Sequence, residues 1–285
     1  MNDKVALWAE RGEILEINGR RVFYWERGSG PTLVALHGFP SSSHDWRFLA
    51  DRLPARRFIA MDLLGFGLSD KSKDGDYSLS AQADLVEGLL DRLGVDSCDL
   101  VAHDMGDSVV AELLARSTEG RLTFDARRAV LMNGGIFIDL VQMTGGQKLF
   151  LRLPNVKLPF QVPVNLFRGQ LRRTFSEQHQ PVPLDLLMIE LLLMHAGGAR
   201  LLPRTIRYQE ERRTYEARLT GGLVDWTGPL SLIWGEADEV TVPAIADHLV
   251  YLRPSTEDIR WRDVGHWPHL EVPERVAAEL ERILG

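Results

Sequence analysis

The chain has 285 residues, 45% hydrophobic and 26% charged, a balance far from disordered or fibrous compositions and close to that of an ordinary folded protein. That length suits one large α/β domain or a core carrying an inserted subdomain. A net charge of −7 gives no electrostatic footprint for nucleic acid or for an anionic membrane surface, both of which favour clustered Lys and Arg, so neither is expected as a partner.

Residues 1–12 lack a basic start followed by an apolar core and a small-residue cleavage site, so no signal peptide is indicated and a cytoplasmic location is the default expectation. Residues 13–27 form two strand-like runs around Asn18-Gly19, a dipeptide that supplies the positive φ angles of a tight hairpin. Apolar or β-branched runs follow at Thr32–His37, Phe58–Met61, Cys98–Ala102 and Ala129–Met132, each succeeded by a loop or a helical pattern. This alternation predicts an α/β fold with a mostly parallel sheet flanked by helices on both faces. The lone Cys98 reads as a small buried hydrophobe.

From about Ile136 to Arg218 the strand pattern lapses, and four helical stretches separated by Pro and Gly clusters predict an inserted helical cap. Its most apolar run, Leu184 to Met194, is about half the length needed to span a bilayer and contains Asp185 and Glu190, so a buried or pocket-lining helix is expected. Strand-like runs resume at Leu230–Trp234 and Asp258–Trp261, and a final amphipathic helix is predicted from Pro273 to Leu284. The core is thus expected to comprise residues 1–135 and 219–285, with the cap at 136–218. No internal repeat or low-complexity tract is present.

The run Leu100-Val101-Ala102-His103-Asp104-Met105-Gly106 sets an Asp between two small residues where a strand meets a helix. So sharp a turn leaves no room for larger side chains two positions either side of its central residue, which makes Asp104 the candidate nucleophile. The helix beginning there favours negative charge at its N-terminus. The alternative, that Asp104 is only a helix N-cap, is outweighed by the flanking strand, helix and later partners. Ser108 is the rival nucleophile but falls inside the helix.

Upstream, His37-Gly38-Phe39-Pro40 ends a strand, and Gly38 lets the backbone turn so that an amide points into the site. The backbone N–H groups of Phe39 and Met105 are the expected oxyanion hole. Downstream, Trp234-Gly235-Glu236-Ala237-Asp238 and Val264-Gly265-His266-Trp267 each follow a strand. In the order nucleophile, acid, histidine, Asp238 would orient the imidazole of His266, and His266 would act as general base toward water. Glu236, Glu239 and His269 are less well placed substitutes. His37, Pro40, Trp267 and Tyr215 are the candidate pocket residues, with His37 more plausibly structural than a second base.

With these residues in place the chain resembles the epoxide hydrolase and haloalkane dehalogenase branch of the α/β-hydrolase superfamily, over nearly its whole length. His37-Gly38-Phe39-Pro40 and His103-Asp104-x-Gly106 are the most specific matches. His103-Asp104-Met105-Gly106-Asp107 together with Asn133-Gly134-Gly135-Ile136-Phe137 is also similar to the mesoderm-specific transcript proteins. The resemblance implies the α/β-hydrolase fold with a cap, no cofactor and no metal, and a small apolar epoxide-type substrate attacked together with water.

A carboxylate nucleophile suits attack at saturated carbon, leaving an ester that water then hydrolyses. Two leaving groups fit, an epoxide oxygen or a halide. Dehalogenases of this branch typically carry Trp after the nucleophile and Asn in the oxyanion loop, positions held here by Met105 and Phe39, and the cap contains no Trp. Tyr208 precedes Asp238 by 30 residues (238 − 208), which resembles the placement of a catalytic tyrosine in epoxide hydrolases. The first cap helix has no second tyrosine, leaving His179 or His195 to share the role. Epoxide hydrolysis is the leading expectation, hydrolytic dehalogenation or another carboxylate-nucleophile hydrolysis the alternative.

Overall fold

A computed structural model describes residues 2–163 and 165–285. Strands β1 (Glu13–Ile17) and β2 (Arg20–Arg27) form an antiparallel hairpin, and Asn18 and Gly19 turn it with φ of 52° and 72°, as a two-residue hairpin requires. Strands β3 (Thr32–Leu36), β4 (Arg57–Met61), β5 (Ser97–His103), β6 (Asp125–Met132), β7 (Leu230–Gly235) and β8 (Glu257–Trp261) complete a sheet of order β1-β2-β4-β3-β5-β6-β7-β8, parallel from β4 onward.

The central strands are buried on both faces and obey the two-residue period of a strand. Leu33, Ala35, Phe58, Ala60 and Val101 join one hydrophobic cluster, while Val34, Leu36, Ile59, Met61, Leu100 and Ala102 join the other. The first cluster is closed by α1 (Asp3–Ala9), α2 (Arg47–Arg52) and the C-terminal helix Pro273–Leu284, which contributes Val276, Ala277, Leu280 and Leu284. The second is closed by α3 (Leu79–Arg92), α4 (Met105–Thr118), α10 (Glu216–Asp225) and α11 (Pro243–Leu252). Helix α1 lies in a stretch for which no helix was expected. Asn2 caps it by accepting from the Lys4 N–H, and Val5 and Trp8 are its buried residues.

Between β6 and β7 lie α5 (Gly145–Arg152), α6 (Asn165–Arg173), α7 (Pro183–Met194), α8 (Leu202–Thr205) and α9 (Tyr208–Thr214), then α10. The insertion is therefore cut into more and shorter helices than the four expected, because its Pro and Gly residues punctuate it more often. Helix α10 starts inside the range assigned to the cap yet packs on α4. Gly222 makes this possible, since a Cβ there would sit 2.3 Å from the Ala111 carbonyl oxygen.

By length and composition the helical stretch Pro183–Thr214, with mean hydropathy 1.4, qualifies as a membrane span, but 61% of its apolar window is buried inside the fold. Positive φ angles at Ala196 and Gly197 break it after α7. It packs as a kinked internal segment, as Leu184 to Met194 suggested.

Candidate active site

Strand order places the site. The chain leaves β3 for β4 on one side of it and finds β5 on the other, and the crevice beyond the carboxyl ends of two such strands is where open parallel sheets bind ligands. Gly38 and Phe39 follow β3, and Asp104 follows β5.

Asp104 stands at φ 50°, ψ −107°, a left-handed backbone that a side chain rarely adopts and that marks a strained turn. The flanking small residues are required by contact. A Cβ on Gly106 would lie 2.4 Å from the Leu36 carbonyl oxygen, and one on Gly38 would lie 2.7 Å from the Asp104 Cβ. With Gly38 bare, the Phe39 N–H donates to Asp104 Oδ2 at 2.9 Å. Met105 follows as the first residue of α4, with its side chain buried.

Asp238 and His266 meet with Oδ2 2.7 Å from Nδ1. The carboxylate is held from several directions: Oδ1 accepts the N–H groups of Val240 at 2.7 Å and Thr241 at 3.1 Å, and Oδ2 accepts Asn133 Nδ2 at 2.8 Å and the Thr241 hydroxyl. Burial works to raise the Asp238 pKa, but the imidazole and these donors hold it below the usual carboxylate range. For His266 burial works downward, and the charges of Asp238 and then Asp104 bring the ring above its ordinary value. That places it on the basic side for a proton acceptor in a site shielded from water.

The loop carrying His266 is anchored on both sides. Glu271 accepts the Gly265 N–H at 2.8 Å and the Trp267 N–H at 3.2 Å, and the His266 N–H donates to the Thr174 carbonyl at 2.9 Å. Thr174 belongs to the insertion, so the helical segment and the histidine loop are tied together. His269, the substitute base, is fully buried against Trp46, with ring centroids 4.5 Å apart. Glu239 is exposed and Glu236 pairs with Arg262 at 3.7 Å, so Asp238 is the acid beside His266.

Above these residues lies a largely apolar cavity walled by Phe39, Pro40, Phe150, Leu171, Leu193, Leu202, Val240, His266 and Trp267, with Thr144, Gln147, Gln170 and Thr174 among its polar lining. Pro40 and Trp267 stand where a pocket role was expected. His37 and Tyr215 do not. The His37 ring is fully buried beneath the loop: Nδ1 lies 2.8 Å from the Gly38 carbonyl and Nε2 accepts the Leu63 N–H at 3.0 Å. That pattern assigns the proton to Nδ1 and makes His37 a brace for the turn. Tyr215 ends α9 and is 53% exposed, away from the cavity.

Tyr208 is buried, its ring 5.8 Å from that of Phe39, and its hydroxyl accepts from Gln209 Nε2 at 2.9 Å. It is not one of the lining side chains of this cavity, but it packs on Phe39, which is. Burial, and secondly the charge of Asp104, raise its pKa far above that of a free phenol, so the hydroxyl stays protonated. His179 is engaged with Asp263 at 3.1 Å, and neither it nor His195 lines the cavity.

Sequence reasoning missed Asn133, Thr241, Glu271 and Arg212. Asn133 had been noted only as part of a resembling motif, and its φ of 47° is the signal an Asn-Gly pair carries. Arg212 is fully buried and donates from Nε to Ser108 Oγ at 2.7 Å and from Nη2 to the Asp104 carbonyl at 2.9 Å. Ser108, the rival nucleophile, is thus a partner of this arginine. Among the described residues no cluster of His, Cys, Asp and Glu forms a metal site.

Residues 31–273 match the model of the alpha/beta hydrolase fold family. The LipZ protein of Mycobacterium tuberculosis is 37% identical over 275 residues, covering 95% of this chain and 94% of that one. The mesoderm-specific transcript protein of Mus musculus is 33% identical over 282 residues, covering 93% and 83%. In structure, the haloalkane dehalogenase DbeA from Bradyrhizobium elkani superposes with a TM-score of 0.79 at 23% identity, covering 96% of this chain and 98% of its own. Sheet order, elbow and matched span agree, and the chain is a hydrolase belonging to the alpha/beta hydrolase fold family.

Proposed function

We propose that this hydrolase opens epoxides to vicinal diols through an ester on Asp104. The observation that carries the reading is a carboxylate at the strained elbow, with the Phe39 N–H 2.9 Å from Oδ2, close to a histidine that is itself held by Asp238 at 2.7 Å. A serine at that point would give an ether, which a second hydrolytic step could not release; an aspartate gives an ester, which it can.

The reaction runs in two steps. A carboxylate oxygen of Asp104 attacks a ring carbon, the carbon–oxygen bond of the epoxide breaks, and the departing oxygen takes the proton of Tyr208. Gln209 donates to the tyrosine oxygen and so leaves that proton free. Next, His266 takes a proton from water and the hydroxide adds to the carboxyl carbon of Asp104. The N–H groups of Phe39 and Met105 stabilise the resulting oxyanion. Collapse expels the diol oxygen, which takes the proton of the new carboxylic acid, and the proton on His266 returns to the tyrosinate. Asp238 stabilises the imidazolium throughout. The cap, at residues 136–218, closes the apolar cavity over these groups and selects small apolar substrates.

A single turnover of styrene oxide in oxygen-18 water tests the ester, and parallel assays with 1-bromohexane and p-nitrophenyl acetate test the leaving group. Label in the Asp104 peptide, with diol formation outpacing bromide or nitrophenol release, is the expected result. Label in the product alone would refute the ester, and preferred bromide release would make the enzyme a dehalogenase.

A further inference from the structure

Helix α9, rich in arginine and glutamate, looks like a solvated surface, yet one of its arginines is driven into the core directly beneath the elbow. The Arg212 guanidinium is fully buried. Nε donates to Ser108 Oγ at 2.7 Å, Nη1 to Gln209 Oε1 at 3.3 Å and Nη2 to the Asp104 carbonyl at 2.9 Å; Nη2 also lies 3.6 Å from Asp104 Oδ1, and the guanidinium covers the Tyr208 ring at 4.6 Å. A buried cation demands a nearby anion. Among the described residues, the carboxylate within ion-pair reach of Arg212 is that of Asp104.

The Asn133-Gly134-Gly135 run makes room for this arrangement. A Cβ on Gly135 would lie 2.5 Å from Arg212 Nη1, and a Cβ on Gly134 would lie 2.1 Å from Asp107 Oδ2. Asp107 sits one turn along α4 from Asp104, fully buried, and its carboxyl takes no side-chain hydrogen bond. Burial, and then the charge of Asp104, raise its pKa well above the ordinary value, which favours its neutral acid form and leaves Asp104 as the carboxylate paired with Arg212.

We propose that Arg212 is a positioning residue of the reaction, through which the inserted helices hold the Asp104 backbone and aim its carboxylate. This rests on the reading of Asp104 as nucleophile. The two carboxylate oxygens are thereby distinguished, Oδ2 held by the Phe39 N–H and Oδ1 facing the guanidinium. The titratable and charged groups facing Asp104 are Arg212, Asp107, Tyr208, His37 and His266, the last backed by Asp238.

The test compares wild type with Arg212→Gln, Arg212→Lys and Gly135→Ala, the last displacing the guanidinium without removing it. Two readouts are followed at one pH: the single-turnover alkylation rate with styrene oxide, and the carbon-13 signal of the Asp104 carboxyl, which needs no turnover. In Arg212→Gln and Gly135→Ala the carboxyl signal should move, because the guanidinium facing Oδ1 is removed or displaced. The saturating alkylation rate should fall roughly tenfold to a hundredfold from lost aim, with half-saturation unchanged. Arg212→Lys keeps the charge but not the planar fork, and should recover only part of that rate.

Folded Arg212→Gln with rate and carboxyl signal unmoved would overturn the proposal. Should Arg212→Gln not fold, an unmoved carboxyl signal in folded Gly135→Ala would do the same. Absence of oxygen-18 label in wild-type Asp104 would instead remove the nucleophile reading, leaving the carboxyl signal to decide whether Arg212 positions Asp104.

Discussion

Asn133 ties the end of β6 to the end of β7, and its replacement separates two physical effects. Its Oδ1 accepts the Gly235 N–H at 2.9 Å, and its Nδ2 donates to the Gly235 carbonyl at 3.1 Å and to Asp238 Oδ2 at 2.8 Å. Removing the amide strips Gly235 of both partners that Asn133 supplies, at about 1–3 kcal/mol for each buried group left unpaired. Asp238 keeps Val240, Thr241 and His266 as partners. Asn133→Gly should therefore destabilise the fold by about 2–6 kcal/mol. Asn133→Ala suffers the same loss and must also hold a φ of 47°, which adds about 1–2 kcal/mol for a residue with a Cβ. Guanidinium denaturation followed by circular dichroism measures both differences. Destabilisation below about 1 kcal/mol, or a glycine variant less stable than the alanine one, would refute the reasoning.

His266→Gln should permit alkylation and block release, so intact-mass spectrometry after incubation with a turned-over substrate should show protein plus one substrate mass; unmodified protein would contradict the division of roles. In wild type, ester hydrolysis needs neutral His266. In the free enzyme, where Asp104 is not esterified, Asp238 and then Asp104 outweigh burial and raise its pKa, so the imidazole should titrate above the ordinary ~6.5 of histidine in proton NMR; a lower midpoint would refute it. Tyr208→Phe should slow epoxide alkylation roughly a hundredfold to ten-thousandfold in pre-steady-state measurements, and equal rates would remove Tyr208 from the mechanism. Asp107 has a raised folded pKa, so the native state binds a proton the unfolded chain has lost, and stability falls as pH rises above about 4. The melting temperature of Asp107→Asn relative to wild type should thus climb between pH 4.5 and 7, and a flat difference would mean Asp107 is not held neutral.

Much of the fold was legible because its strands obey simple periods: the buried central runs, the Asn18-Gly19 hairpin and the final amphipathic helix all lie where the pattern placed them. The elbow was legible because steric demand at a sharp turn leaves small residues at fixed offsets, here Ala102 and Gly106. Arg212 was not, since an arginine in Arg-Tyr-Gln-Glu-Glu-Arg-Arg-Thr has the composition of an exposed face, and only the packing of α9 against the elbow buries it. Tyr215 failed for the converse reason. Seven residues beyond Tyr208, it lies past the end of the same short helix, and the chain turns there, so sequence proximity says nothing about which tyrosine enters the interior. His37 adjoins the oxyanion loop in sequence, but a strand-end side chain has two faces to choose between, and this one took the inner face.

The insertion leaves the sheet after β6 and returns through α10, a helix that packs on α4 and delivers the chain to β7. Everything between can lengthen, shorten or be replaced without altering the pairing of a single strand. In a lineage, loss or gain of a turn in those helices would change what fits the chamber while the reacting groups stay put. Arg212 limits that freedom. A transplanted lid lacking an equivalent cation would leave the elbow without that support, so grafts between relatives should keep α9 with the recipient core.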